Sequence, residues 1–412
     1  MNQEDPRMKF KVAKRDLDTA LRVVSHTVAA GSGDISCHYL FRAKSENRVE
    51  VLAYNGRVFS SCPMPAAFEG ETGKPFTVEA KRVNMLLEAL RDDSVLDFSD
   101  NGAGEITVGA GRGEVTLSGL DPQRFPFWDD ILGTKATKTA SIAAERLSAA
   151  IAHSKTFIFE DDAKTPQFCV AEVRDGCLLS TDLVAVSIVK MGGLENSALR
   201  IFGKDSAPIL SFLGTFKVKP EKTTEKTEEG KPADGKTEAA VEPEVEIWES
   251  EKAMFLKRGD GAVFGESKFD KRFPDFKVDW EAKDDYWVEI AKDEVKSATK
   301  FLSSGAAQED TTLRFQIRPG KVVFTMKSAT NGKPMSYDLP VETQGQRDEI
   351  ENELPESGFA VSSDYILRLL GACVGDKVRF GIAKRDKWGW IRVQDERGPD
   401  RYVTTVTWKK IA

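Results

Sequence analysis

The sequence predicts an α+β fold of three similar units, each with two helices packed on antiparallel sheet. The first observation is a strand entering a helix that occurs three times, as Phe10-Lys11-Val12-Ala13-Lys14-Arg15-Asp16-Leu17, Ser141-Ile142-Ala143-Ala144-Glu145-Arg146-Leu147 and Val288-Glu289-Ile290-Ala291-Lys292-Asp293-Glu294-Val295. Val12, Ile142 and Ile290 are equivalent positions. From each, apolar residues continue at helical spacing, as in Leu17, Ala20, Leu21 and Val24 or Leu147, Ala150 and Ile151, so one face of each helix is core. The second observation is another strand-then-helix half a unit later: Phe76-Thr77-Val78-Glu79-Ala80-Lys81, Arg200-Ile201-Phe202-Gly203-Lys204 and Phe359-Ala360-Val361-Ser362-Ser363. These helices carry Met85, Leu86 and Leu90; Ile209, Leu210 and Leu213; and Ile366, Leu369 and Leu370. Between them lie alternating stretches such as Val49-Glu50-Val51-Leu52-Ala53 and Val322-Val323-Phe324-Thr325, which read as strands punctuated by Asn-Gly and Gly-rich turns.

Spacing tests the repeat. Val12 to Ile142 is 130 residues and Ile142 to Ile290 is 148. Residues 217–244 explain the difference, because six Lys and eight acidic residues with no aromatic cannot bury enough surface to fold. Without these 28 residues the second interval falls to 120. The insertion is therefore read as a disordered loop inside the second unit, with unit boundaries near 136 and 283: 1–136, 137–283 and 284–412.

Composition excludes several classes. No run approaches the roughly 20 apolar residues of a membrane helix, and the acidic opening Met1-Asn2-Gln3-Glu4-Asp5-Pro6 is unlike a secretory signal. Five scattered cysteines, Cys37, Cys62, Cys169, Cys177 and Cys373, fit thiols in a reducing, cytoplasmic setting better than a disulfide framework. A net charge of −7 rules out whole-surface attraction to nucleic acid but leaves room for a local basic face.

From Met8 onward the chain resembles the bacterial DNA polymerase III β subunit family, the sliding clamps. Met8-Lys9-Phe10-Lys11-Val12 resembles that family's opening strand, and Gly119-Leu120-Asp121-Pro122-Gln123-Arg124-Phe125-Pro126 resembles the closure of its first domain. Lys271-Arg272-Phe273-Pro274-Asp275-Phe276 is similar to its Gly-Arg-Phe-Pro-Asp-Tyr, and Ser180-Thr181-Asp182 to its Ala-Thr-Asp. The resemblance implies the DNA clamp fold, a homodimeric ring with helices lining the hole, and a processivity factor that holds a replicative DNA polymerase on double-stranded DNA after a clamp loader has placed it. It implies no reaction, catalytic residue, metal or cofactor. Topological linkage lets phosphate contacts stay weak and sequence-blind, and only the lumen need be basic.

Helix faces carry candidates for that lumen. Lys292, Lys296 and Lys300 repeat every fourth residue beside the apolar stripe Val295, Ala298 and Leu302. The first unit offers Arg15, Arg22, Lys81 and Arg82, and the second Arg146 and Lys204. The resemblance also implies a groove for partner peptides, which residue by residue falls on Thr181, Asp182, Pro274, Thr405, Val406 and Thr407. The chain departs from the family there. Leu183-Val184-Ala185 replaces Gly-His-Arg, and Thr405-Val406-Thr407-Trp408-Lys409 replaces Met-Pro-Met-Arg-Leu. A β-branched wall in place of a flexible Met-lined one predicts a different or weaker peptide specificity, as in a divergent clamp of phage or plasmid origin.

Two other classes are set against this reading. A metal-dependent nuclease would use carboxylate pairs such as Asp92-Asp93, Asp129-Asp130, Glu160-Asp161-Asp162 or Asp284-Asp285, but these read as capping and solvation residues at turns. His26, His38 and His153 are too separated for a zinc or acid/base site, and Cys37-His38 lacks further ligands nearby. Gly109-Ala110-Gly111-Arg112-Gly113 precedes a strand pattern rather than a helix, which makes it a hairpin turn and no phosphate loop. Trp388 and Trp390 read as one face of a sheet rather than a base-stacking platform. The remaining class is an interaction protein of clamp-like fold whose ring never closes.

Overall fold

The computed structural model describes residues 7–31, 33–102, 104–126, 136–161, 163–216, 243–271, 273, 286–318, 320–341, 343–344, 359–373, 375–385, 388–397 and 399–410. Nearly all of the insertion, and the boundary near 283, lie outside these residues. Among the described residues the helices are α1 (Lys14–Val24), α2 (Ala80–Ala89), α3 (Ala144–Lys155), α4 (Ser206–Gly214), α5 (Lys292–Gly305) and α6 (Ser363–Ala372). Each follows a short strand, as the repeat predicts. None is long and apolar enough to cross a membrane.

All of these helix entries except that of α2 share one device. The residues before α1, α2, α5 and α6 (Ala13, Glu79, Ala291 and Ser362) make no side-chain cap. Instead, the N–H of Lys14 donates to Ser94 O (2.9 Å), Ala144 to Pro243 O (2.8 Å), Lys292 to Asp376 O (2.8 Å) and Ser363 to Thr311 O (2.7 Å). Gly203, opening the turn before α4, donates to Cys169 O at 2.8 Å. In every case the acceptor directly precedes the strand that pairs with the entering strand or opens the next one in the same sheet. An otherwise orphan helix amide is satisfied by tertiary structure.

The chain forms two compact units, Met1–Ser148 with Asp205–Lys268 and Ala149–Lys204 with Phe269–Ala412, and the division falls within α3. The first holds a five-stranded sheet, ordered Ala67–Phe68, Lys9–Ala13, Val95–Gly102, Glu105–Ala110, Gly113–Ser118. Phe10 and Val12 face inward while Lys9 and Lys11 face water, and Phe10 stacks on Phe98 at 5.1 Å between centroids. Its eight-stranded sheet joins the first repeat to the second, because Val58–Pro65 pairs antiparallel with Val263–Ser267. Gly265 stands opposite Phe59, and a Cβ there would lie 1.9 Å from the Phe59 ring, so only glycine fits the join.

The second unit holds one 13-stranded antiparallel sheet. Here Ala185–Lys190 pairs with the terminal strand Asp400–Lys410, joining the second repeat to the third. Beneath α5 and α6 the core comprises Val295, Ala298, Leu302, Ile366, Leu369 and Leu370 with sheet residues such as Leu313 and Phe324. One helix face differs from expectation. α2 buries Ala80, Val83 and Leu87, leaving Met85 about half exposed.

Candidate functional site

In the second unit a turn, a helix end and α6 border an open pocket of about 640 Å³ lined by Lys155, Phe159, Glu160, Asp182, Tyr365 and Arg368. Asp182 organises it. One carboxylate oxygen, Oδ1, accepts the N–H groups of Val184 (3.1 Å) and Ala185 (2.8 Å). The other, Oδ2, accepts the Tyr365 hydroxyl and lies 3.0 Å from the Arg368 guanidinium. Arg368 also lies over the rings of Phe157 and Tyr365 and donates to Thr156 O. The turn carries Leu183 at φ 76°, a left-handed conformation costing roughly 1–2 kcal/mol for a residue with a Cβ. The clamp pattern has glycine at this position. Leu183 (51% exposed) and Val184 (44%) thus offer two adjacent apolar side chains to solvent.

These contacts define the roles of the residues read from sequence. Thr181 is buried; its hydroxyl donates to Ala185 O at 2.6 Å and accepts the Leu183 N–H at 3.1 Å, so it holds the turn rather than lining a surface. Thr405 and Val406 lie opposite Val186 and Ala185, and Thr407 opposite Trp390, so the terminal strand runs beside the turn. Pro274 lies outside the described residues. Its neighbour Phe273 is buried, with its N–H on Glu172 at 3.0 Å. Tyr365 and Arg368 were missed because nothing near Asp182 in sequence points to residues 183 or more positions away.

Burial, and then Asp182, push the Tyr365 phenol above its ordinary value of 10.0. It therefore remains a donor throughout the neutral range. Its raised folded value means that its stabilising contribution is fully present below pH 10.0 and is lost as pH climbs through the folded value. Alkaline unfolding followed by circular dichroism should show a limb near and above that pH that is shallower in Tyr365→Phe.

The basic helix residues occupy contrasting surroundings. Arg15 lies 3.6 Å from Asp16, Arg22 2.7 Å from Asp18 and Arg82 3.5 Å from Glu79. Lys204 lies over the Phe202 ring at 5.9 Å, and Arg146 is half-buried. Lys292 is half-buried and donates to Cys373 O (3.1 Å) at the end of α6. Lys81, Lys296 and Lys300 are exposed and have no ion pair among the described residues.

Other motifs within the described residues have local partners, whereas Asp129-Asp130, Asp162 and Asp284-Asp285 lie outside them. Asp92 pairs with Lys14 at 2.6 Å, Asp93 with Arg91 at 3.3 Å and Asp161 with Lys164 at 3.3 Å. His38 is bonded to Asp34 O, and His153 to Ala372 O and Thr404. The glycine-rich run turns at Gly111 (φ 62°) between Glu105–Ala110 and Gly113–Ser118, a hairpin. All five cysteines are buried thiols outside any disulfide. Among the described residues no three His, Cys, Asp or Glu side chains are grouped to hold a metal.

No protein-family model and no curated protein matches the chain. Solved structures do. A DNA polymerase III subunit beta sliding clamp from Pseudomonas aeruginosa, bound to griselimycin, superposes with a TM-score of 0.76 at 17% identity, over 98% of this chain and 100% of that one. The chain has the sliding-clamp fold. The DNA polymerase III beta subunit from Thermotoga maritima (TM-score 0.75, 14% identity, 98% and 100% coverage) and the sliding clamp from Bacillus subtilis (0.75, 15%, 99% and 100%) match equally well. The clamp fold thus extends over 98–99% of the chain at 14–17% sequence identity.

Proposed function

We propose that this chain is a DNA replication processivity factor: two copies close head to tail around duplex DNA and tether a replicative polymerase, after loading by a clamp loader. We read it as three modules, 1–136, 137–283 and 284–412, acting as a scaffold and not as an enzyme. One observation carries the reading. Each repeat has a fourth strand (Val58–Pro65, Ala185–Lys190, Pro334–Pro340) and a last strand (Gly113–Ser118, Val263–Ser267, Asp400–Lys410). The first repeat's fourth strand pairs with the second's last, and the second's fourth with the third's last. This leaves Pro334–Pro340 and Gly113–Ser118, each at the end of its sheet. The same join between two copies closes a ring and removes two exposed edges. Val115 (37% exposed) sits on one, and Phe301 (63%), 5.6 Å from the Tyr337 ring, beside the other.

The Asp182 turn and its pocket then serve as the peptide groove. Leu183 and Val184 alter its specificity, because apolar side chains stand where the family's pattern has Gly and His.

The test is retention on circular DNA. Protein loaded on a nicked plasmid with its loader should withstand high salt and come off when the plasmid is linearised. Salt-sensitive binding indifferent to linearisation would sink the ring. Val115→Asp with Phe301→Asp should convert dimer mass to monomer mass in light scattering and abolish retention, since burying two carboxylates at a sheet join is prohibitive.

A further inference from the structure

The clamp reading requires phosphate contacts on the helices, and the basic residues of α1, α2 and α5 are of two electrostatic kinds. On α1, both arginines have a carboxylate within ion-pair distance, Asp16 for Arg15 and Asp18 for Arg22. On α2, Arg82 has Glu79. A phosphate approaching such a pair meets a near-neutral dipole, because the carboxylate lies well within the ~10 Å Debye length. Little counterion release is available, and the phosphate must displace an existing partner.

α5 differs. Lys296 and Lys300 stand four residues apart, so their side chains share one flank on successive turns. Neither lies within ion-pair distance of a carboxylate among the described residues. The residues three and four positions from Lys300 are Lys296, Ser297, Ser303 and Ser304, and those around Lys296 include one acid, Asp293, which makes no ion pair with it. Lys292 begins the same flank but is spent on Cys373 O. Phe301, ~100° further round the helix from Lys300, faces Tyr337 on the sheet edge, so the lysine flank and the edge flank are separate surfaces. On α2, Lys81 is the single counterpart, with the apolar Met85 four residues on.

We infer that phosphate contact in this clamp falls more on Lys296 and Lys300 of α5 than on Arg15 and Arg22 of α1, so that the third repeat of each chain grips duplex DNA more strongly than the first. This rests on the clamp reading. Such a pair of lysines suits a sliding surface: it attracts any sequence and releases readily.

The experiment is fluorescence anisotropy of a short labelled DNA duplex with the full-length protein, from about 50 to 200 mM salt. Lys296→Gln with Lys300→Gln should make the slope of log K against log salt shallower by about 2 and weaken binding about ten- to a hundredfold at the low end. Arg15→Gln with Arg22→Gln should change binding less than about threefold, and Lys296→Arg with Lys300→Arg should retain it, with unchanged circular dichroism throughout. Equal losses for the two glutamine pairs, or none for the α5 pair, would overturn the asymmetry while leaving a salt-dependent clamp. Absence of salt-dependent binding by the wild-type protein would overturn both.

Discussion

Replacing Glu172 with Ala is expected to destabilise the second unit by about 3–5 kcal/mol and lower its Tm by about 10 °C, measured by calorimetry. Glu172 is buried on the strand Val170–Arg174. Its carboxylate accepts Arg174 Nε and Arg200 Nε, both at 3.0 Å, and the N–H of Phe273 at 3.0 Å. The arginines bind the same segment, Arg174 donating to Phe273 O and Arg200 to Phe269 O at 2.8 Å. Removing the carboxylate takes away the charge that Arg174 and Arg200, both mostly buried, share, and that loss dominates the cost. The contrast is Arg91→Ala. Its pair with Asp93 has side chains 87% and 74% exposed, and its loss should change stability by less than about 0.5 kcal/mol. Similar effects for the two substitutions would contradict the assignment of Glu172 as a buried hub. Because Phe273 adjoins Pro274, the Glu172 variant should also weaken partner-peptide binding if the groove reading holds.

The repeat was legible because it rests on hydrophobic phase. Leu17, Ala20 and Leu21 in α1 and Val295, Ala298 and Leu302 in α5 recur at helical spacing, and all are buried. The device that starts the helices was not legible. A backbone amide finding a backbone carbonyl, as Lys292 finds Asp376 O, has no side-chain signature. α2 misled for a related reason: Met85, Leu86 and Leu90 look like a stripe, but its first buried residue is Ala80, which shifts the inward face to Val83 and Leu87. At the groove, Thr181 and Asp182 could be located from the family pattern, whereas their work could not. Thr181 proved to be a turn brace, and Asp182 is bound by Tyr365 and Arg368 from another repeat. The basic stripe of α5 was visible as Lys292, Lys296 and Lys300. That Lys292 is engaged and Arg22 neutralised depends on geometry, though Asp18 four residues before Arg22 is a signal present in the sequence.

The turn at Leu183 holds two opposed contributions, and substitutions should separate them by sign. Asp182→Ala removes the acceptor for four donors: the amides of Val184 and Ala185, the Tyr365 hydroxyl and the Arg368 guanidinium. The amides and the phenol lose most, since Arg368 is exposed enough to find water, and the expected cost is about 2–4 kcal/mol. Asp182→Asn keeps a carbonyl for the two amides but puts an NH2 donor in place of Oδ2, losing both the acceptor of the Tyr365 hydroxyl and the charge facing Arg368, so a smaller loss than that of Asp182→Ala is expected. Leu183→Gly acts in the opposite direction. At φ 76° glycine carries no Cβ penalty, and relief of that strain exceeds the added freedom of the unfolded chain, giving a gain of about 0.5–1 kcal/mol. In the double variant the gain should shrink, because a turn released by Asp182→Ala no longer forces residue 183 into the left-handed region. Denaturant unfolding of the wild-type protein and the four variants measures all of this without any partner. A strain maintained against its own cost places Leu183 and Val184 outward, so Leu183→Gly should raise stability while lowering affinity for whichever peptide occupies the groove. If it raised both, the exposed leucine would be a tolerated accident of divergence rather than part of the binding surface.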